Sequence, residues 1–134
     1  MSDNIHDFED LIRDSQFAWF TTVRADGQPQ PTPVWFIWDG ATFVIYSQPQ
    51  AQKVRNLRAN PKVALSFAGD DEGEEYLVVM GHAAIDAQAP APKDNAAYMA
   101  KYSAGIANID MTPDSFNATF SLAIRITPMR VRGE

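Results

Sequence analysis

Lys53, Arg55, Arg58 and Lys62 follow one another closely, and no acidic residue lies between Asp39 and Asp70. The net charge of −6 therefore divides into +4 within this window and −10 outside it. A basic patch on an acidic chain suits a small anionic ligand, whereas a nucleic-acid backbone needs a broad basic face that this composition does not offer. The position of the patch narrows the chemistry. Ser47 and Gln48 close a predicted strand, Pro49 follows, and residues 50–59 (QAQKVRNLRA) are predicted to be helical until Asn60 and Pro61 stop them. A helix N-terminus carries free N–H donors and a partial positive charge, which together favour phosphate. Gln52 and Lys53 fall in that first turn, so the Ser47 hydroxyl and the Lys53 ammonium can reach one phosphate. The same bases also fit a solvated helix face, and Arg58 suits the helix C-terminus.

Thr32, Pro33, Val34, Trp35 and Phe36 form the second candidate stretch. Proline cannot donate to a ladder, so Pro33 marks an edge, a bulge or a ligand-facing segment. A flat ring could lie there against freed backbone groups; an edge strand over an aromatic core reads the same way. Other chemistries are poorly served. The chain has no cysteine, which removes disulfides, thiolate nucleophiles and iron–sulfur clusters and fits a cytoplasmic protein. Two histidines, His6 and His82, lie far apart and do not make a metal site. The acidic run 70–75 lacks the ordered spacing of a calcium loop, and no P-loop, nucleophile elbow or dinucleotide glycine fingerprint occurs.

The elements that must position these residues are short and mostly β. At 134 residues, the chain is expected to form a single domain, 1–134. No apolar stretch approaches the roughly 20 residues of a membrane span, and the acidic N-terminus is not a secretory signal. Ile5, Phe8 and Ile12 share one face of a predicted short helix. Strands are predicted over residues 17–24, 31–38, 42–47, 62–68, 76–85 and 119–127, with turns at 25–28 and at Asp39 and Gly40. Gly81 inside the fifth predicts a bulge or a close backbone approach. Helices are predicted over 95–103 and from Thr112, with Pro113 at the first position. The expectation is mainly β, a six-stranded antiparallel barrel with peripheral short helices.

The segments 20–29, 32–36, 46–49 and 52–61, with the ending 124–133, resemble the pyridoxamine 5′-phosphate oxidase-like superfamily. The likeness covers nearly the whole chain and is nearest to a short actinobacterial subgroup that uses the deazaflavin coenzyme F-420. The resemblance implies the FMN-binding split β-barrel of Greek-key type and a homodimer with cofactor in grooves at the subunit interface. It further implies that Lys53 binds the cofactor phosphate with Ser47, Gln48 and Gln52, that Arg55 and Asn56 add contacts, and that Thr32, Pro33 and Val34 line the ring. Tyr76 would approach from the neighbouring subunit. The longer oxidases carry C-terminal residues for a substrate phosphate, and the sequence stops at Glu134, so the expectation is a reductase passing hydride between F-420 and a small organic substrate. FMN is the alternative cofactor, and a non-catalytic flavin, deazaflavin or tetrapyrrole carrier is the alternative function.

Overall fold

Apolar residues alternate along most strands, and this pattern folds the chain into one antiparallel sheet. The computed structural model describes residues 2–134. Its strands are β1 (Ala18–Val23), β2 (Pro29–Val34), β3 (Ile37–Trp38), β4 (Phe43–Ser47), β5 (Lys62–Ala68), β6 (Tyr76–Ile85) and β7 (Leu122–Gly133). They lie in the order β2-β1-β5-β6-β7-β4-β3. β2 and β3 are consecutive in the chain yet occupy opposite edges, separated by Trp35 and Phe36 alone. The sheet is therefore rolled on itself and split at that dipeptide, a mainly β split barrel with short helices around it. Among the described residues, no helix is long and apolar enough to cross a membrane.

Seven strands replace the six expected, because residues 31–38 do not run as one strand. At Phe36 the backbone leaves the ladder: its N–H donates to the Tyr102 hydroxyl (2.9 Å), which donates back to its carbonyl (3.0 Å). The last strand is also displaced. It begins at Leu122, not 119, because Thr119 still belongs to helix α4 (Pro113–Thr119), and it runs to Gly133. Thr112 and Ser115 close a reciprocal capping box that starts α4 with Pro113 inside it. Helix α2 spans Gln52–Ala59, two residues shorter at its start than expected, with Ala51 as cap. Helix α3 spans Ala96–Asn108 and is capped by the Asn95 side chain, which accepts from the Tyr98 N–H. A 3-10 turn (Ile5–Phe8) runs into α1 (Glu9–Asp14).

Two apolar clusters hold the fold. The barrel interior is built around Phe20, Phe36, Phe43, Ile45, Leu65 and Ile124. A second cluster lies outside the barrel, where Tyr98, Tyr102 and Ile106 of α3 and Phe116 of α4 pack on Val44 and Tyr46. β4 has a core on each side, so all five of its residues are buried, and its continuous apolar run is that of a doubly covered strand. The β1–β2 turn and the turn before β4 use Gly27 and Gly40 at φ 90° and 93°, values that L side chains rarely adopt.

Gly81 combines both features expected of it. The β6–β7 register shifts between Met80 and Gly81, opposite Pro128, and a Cβ at Gly81 would press into the Thr127 carbonyl. Since that neighbour is backbone, Gly81→Ala should destabilise the protein by about 1–3 kcal/mol. A urea denaturation curve that does not move toward lower denaturant would refute this packing.

Candidate functional site

The site begins with the split in the barrel. The Tyr102 hydroxyl has one proton to share between the Phe36 carbonyl (3.0 Å) and the Gln16 carbonyl (2.9 Å), so α3 is fastened across the gap. Trp35 then lies flat between α3 and α4, stacked on Tyr102 (4.8 Å, 6°) and near-parallel to Phe116 (5.8 Å, 14°). This leaves a cavity of ≈170 Å³ between β2, α2 and the two outer helices. Pro33, Val34 and Lys53 line it together with an aromatic wall of Trp35, Tyr46, Tyr98, Phe116 and Phe120. Pro33 and Trp35 also line an adjoining groove of ≈400 Å³ with Phe17 and Trp19.

Lys53 is the charged group of this cavity. It is half-buried, and burial pushes its ammonium below the usual lysine range. It makes no ion pair or hydrogen bond with any described residue, and no carboxylate lines the cavity. The adjacent helix start adds two donors. Val54 and Arg55 N–H bond to the Ala51 carbonyl, while the N–H groups of Gln52 and Lys53 have no partner among the described residues. Cation and amides together offer a place for an anion that the protein itself does not fill.

The other expected residues divide. Thr32 lies on β2 opposite Phe20, and its Oγ1 is the one fully buried side-chain polar atom without a partner among the described residues. Ser47 is buried, and its hydroxyl donates to the Gln48 carbonyl (2.9 Å). Gln48 is exposed. Arg55 folds back onto its own helix start, donating to the Gln50 carbonyl (2.6 Å) and Gln52 Oε1 (2.5 Å). Asn56 is buried and structural in its contacts: its Nδ2 donates to Thr22 Oγ1 and Gln30 Oε1 (both 2.9 Å), and its Oδ1 accepts from Gln52 (2.8 Å). Pro33, Val34 and Lys53 are thus brought to one cavity, while Ser47, Arg55 and Asn56 are engaged in local bonds. Arg125 is committed elsewhere, to Asp86 (2.8 Å) and Asp39 (3.3 Å).

Sequence reasoning missed the aromatic wall. Tyr98 and Tyr102 stand four apart on a helix, a spacing that signals a buried face, and nothing in the pattern separates a tyrosine of the core from one that borders a cavity.

Comparison with known proteins places the chain. The sequence profile of the family described as Pyridoxamine 5′-phosphate oxidase matches residues 5–133. A solved structure described as an F420 reductase is 30% identical, with a TM-score of 0.71 over 92% of this chain and 94% of that one. The conserved hypothetical protein Rv2991 of Mycobacterium tuberculosis is 21% identical, with a TM-score of 0.78 over 97% and 83% of the two chains. The heme storage protein HutZ of Vibrio cholerae is 15% identical, with a TM-score of 0.67 over 96% and 92%. The last two likenesses concern the fold alone. No curated protein sequence matches the chain.

Asn56 gives a direct check on how the site is held. Removing its amide strands Thr22 and Gln30 at a helix–sheet contact, so Asn56→Ala should cost about 1–3 kcal/mol of stability. Chemical denaturation should show that loss without ligand present. A variant as stable as the parent would instead free Asn56 for a ligand role.

Proposed function

We propose that this chain, which belongs to the pyridoxamine 5′-phosphate oxidase family, is an F-420-dependent reductase acting on a small organic substrate. The observation that carries this reading is the unpaired, half-buried Lys53 beside two free helix N–H groups. A cation in that setting is stabilised by a bound phosphate, and the Pro33–Val34 stretch and the aromatic wall beside it suit a planar ring. The residues therefore fit a phosphate-bearing ring cofactor. When bound, a deazaflavin supplies a hydride from a ring carbon. The chain's part is to hold the phosphate at Lys53 and the α2 amides, to lay the ring edge along Pro33 and Val34 with the Thr32 hydroxyl behind it, and to shield that edge from water. Ser47, Gln48, Gln52, Arg55 and Asn56 support the corner in this reading by fixing the turn into α2.

At ≈170 Å³ the cavity takes a ring edge and not a whole cofactor. The remainder runs across Pro33 and Trp35 into the groove floored by Phe17 and Trp19. Phe17 (49% exposed) and Trp19 (47%) are large apolar side chains left open to solvent. A second copy covering them would close the groove, so a homodimer with cofactor at its interface belongs to the same proposal, as does a cytoplasmic setting.

Titration of the protein with F-420 and with FMN, followed by quenching of each fluorophore, tests the reading. F-420 should bind in the micromolar range. Preference for FMN would reassign the cofactor, and binding of both rings with no turnover over a broad substrate panel would favour a carrier. Lys53→Ala should weaken binding by about 1.5–3 kcal/mol, as expected for a charge-assisted hydrogen bond; unchanged affinity in a folded variant removes Lys53 from the site. The pH dependence has a definite sign. Because burial lowers the Lys53 pKa, affinity should fall as pH rises toward that lowered value, earlier than with an ordinary lysine, and the Lys53→Ala variant should lose this dependence.

Sedimentation should show a dimer that Trp19→Glu dissociates with a parallel loss of cofactor affinity. A monomeric parent that binds the ring tightly contradicts the shared groove.

A further inference from the structure

Tyr98 and Tyr102 lie one turn apart on α3, and both are buried, yet their hydroxyls are treated differently. Tyr102 accepts from Phe36 N–H and shares its one proton between Phe36 C=O and Gln16 C=O. Tyr46, whose ring meets that of Tyr98 edge-on at 4.8 Å, donates to the Pro90 carbonyl (2.7 Å) and accepts from Asn95 (3.1 Å). The Tyr98 hydroxyl has no hydrogen-bond partner among the described residues, although the residue is only 1% exposed. A buried tyrosine hydroxyl ordinarily finds a partner.

Its surroundings say what kind of partner is missing. Thr32 Oγ1 is the one fully enclosed side-chain polar atom left unpaired among the described residues, so the Tyr98 hydroxyl keeps contact with the cavity that Tyr98 lines. Burial raises its pKa, so the phenol stays protonated near neutral pH and acts as a donor. Lys53, which lines the same cavity, is another donor, and no carboxylate lines it. The walls around Tyr98 are aromatic, from Trp35, Tyr46 and Phe116, which suits the ring of a ligand, whereas the free amides of α2 lie on the Lys53 side.

We infer that Tyr98 is a ligand-binding residue whose hydroxyl donates a hydrogen bond to an oxygen acceptor on the planar ring of the ligand held at Lys53. The inference rests on the cofactor reading above and adds the ring-side contact to the phosphate-side one. It makes Tyr98 a sensor of ring chemistry: a ring oxygen gains a donor, and a methyl or hydrogen at the same place leaves the phenol unpaired.

Tyr98→Phe and Tyr102→Phe separate this role from a structural one. Each variant is titrated with F-420, with FMN and with inorganic phosphate, the bound chromophore's absorption is recorded, and unfolding is measured without ligand. Tyr98→Phe should bind the preferred ring roughly tenfold more weakly, the scale of one hydrogen bond. It should also shift the bound absorption maximum, keep the parent's response to inorganic phosphate, and melt no lower than the parent. Tyr102→Phe should melt lower, because three backbone groups lose their partner. Parent-like affinity and spectrum in Tyr98→Phe overturn the inference while leaving the cofactor reading in place, and so does a melting loss as large as that of Tyr102→Phe. If the parent binds neither F-420 nor FMN, the cofactor reading fails and this inference with it.

Discussion

One hydroxyl group fixes the relation between barrel and site. Rolling the sheet until β2 and β3 face each other across a dipeptide leaves Phe36 without ladder partners. A buried N–H and C=O in that position would be costly to leave unmet. Tyr102 accepts from the N–H and shares its one proton between that carbonyl and the Gln16 carbonyl. Because Tyr102 sits on α3, satisfying the split also dictates where α3 lies. The helix carries Tyr98 to the cavity and Lys101 over the Phe36 ring, 3.9 Å from its centroid. Trp35, the other half of the dipeptide, is turned outward and stacked beneath the same helix. The geometry of the site is a consequence of how the sheet is interrupted.

Three half-buried cations show how differently the fold treats charge. Arg125 is held by Asp86, Asp39 and the Thr42 hydroxyl. Lys101 rests on two aromatic faces, and burial pulls its pKa down to about 8 while the field of Asp14 opposes that shift. Lys53 has neither carboxylate nor ring. Burying a charge without compensation costs stability. That asymmetry sets Lys53 apart from the two structural cations more clearly than the number of bases in the segment.

Much of this was legible in the sequence, and the failures have physical causes. The hairpin turns, the helix after Pro49, the Gly81 irregularity and the capped start at Thr112 follow from local rules that the structure obeys. Lys53, Pro33 and Val34 meet at one cavity; their spacing offered two separate stretches, which only the family resemblance joined. Asn56 and Arg55 did not separate from Lys53 by sequence, because a short helix presents all three within one turn and only the sheet beneath decides which is covered. Asn56 faces Thr22 and Gln30; Lys53 lines the cavity. The break in residues 31–38 was hidden because it depends on a tyrosine 66 residues further along the chain. The place of Tyr98 on the cavity wall was hidden for a similar reason: its helical face reads as core, and core and cavity wall share one pattern.

The prolines of β2 tie these strands of argument together. Pro29, Pro31 and Pro33 alternate with Gln30, Thr32 and Val34, and all six positions pair with β1. A strand residue directs its N–H and C=O to one side and its neighbour's to the other. The positions that donate to β1 must therefore be Gln30, Thr32 and Val34, and the prolines fall on the open edge, which keeps carbonyls and loses every donor there. Such an edge resists pairing with another strand. The same edge offers no backbone N–H at these three positions. The unpaired donors beside it are instead Tyr98, Lys53 and two amides at the start of α2.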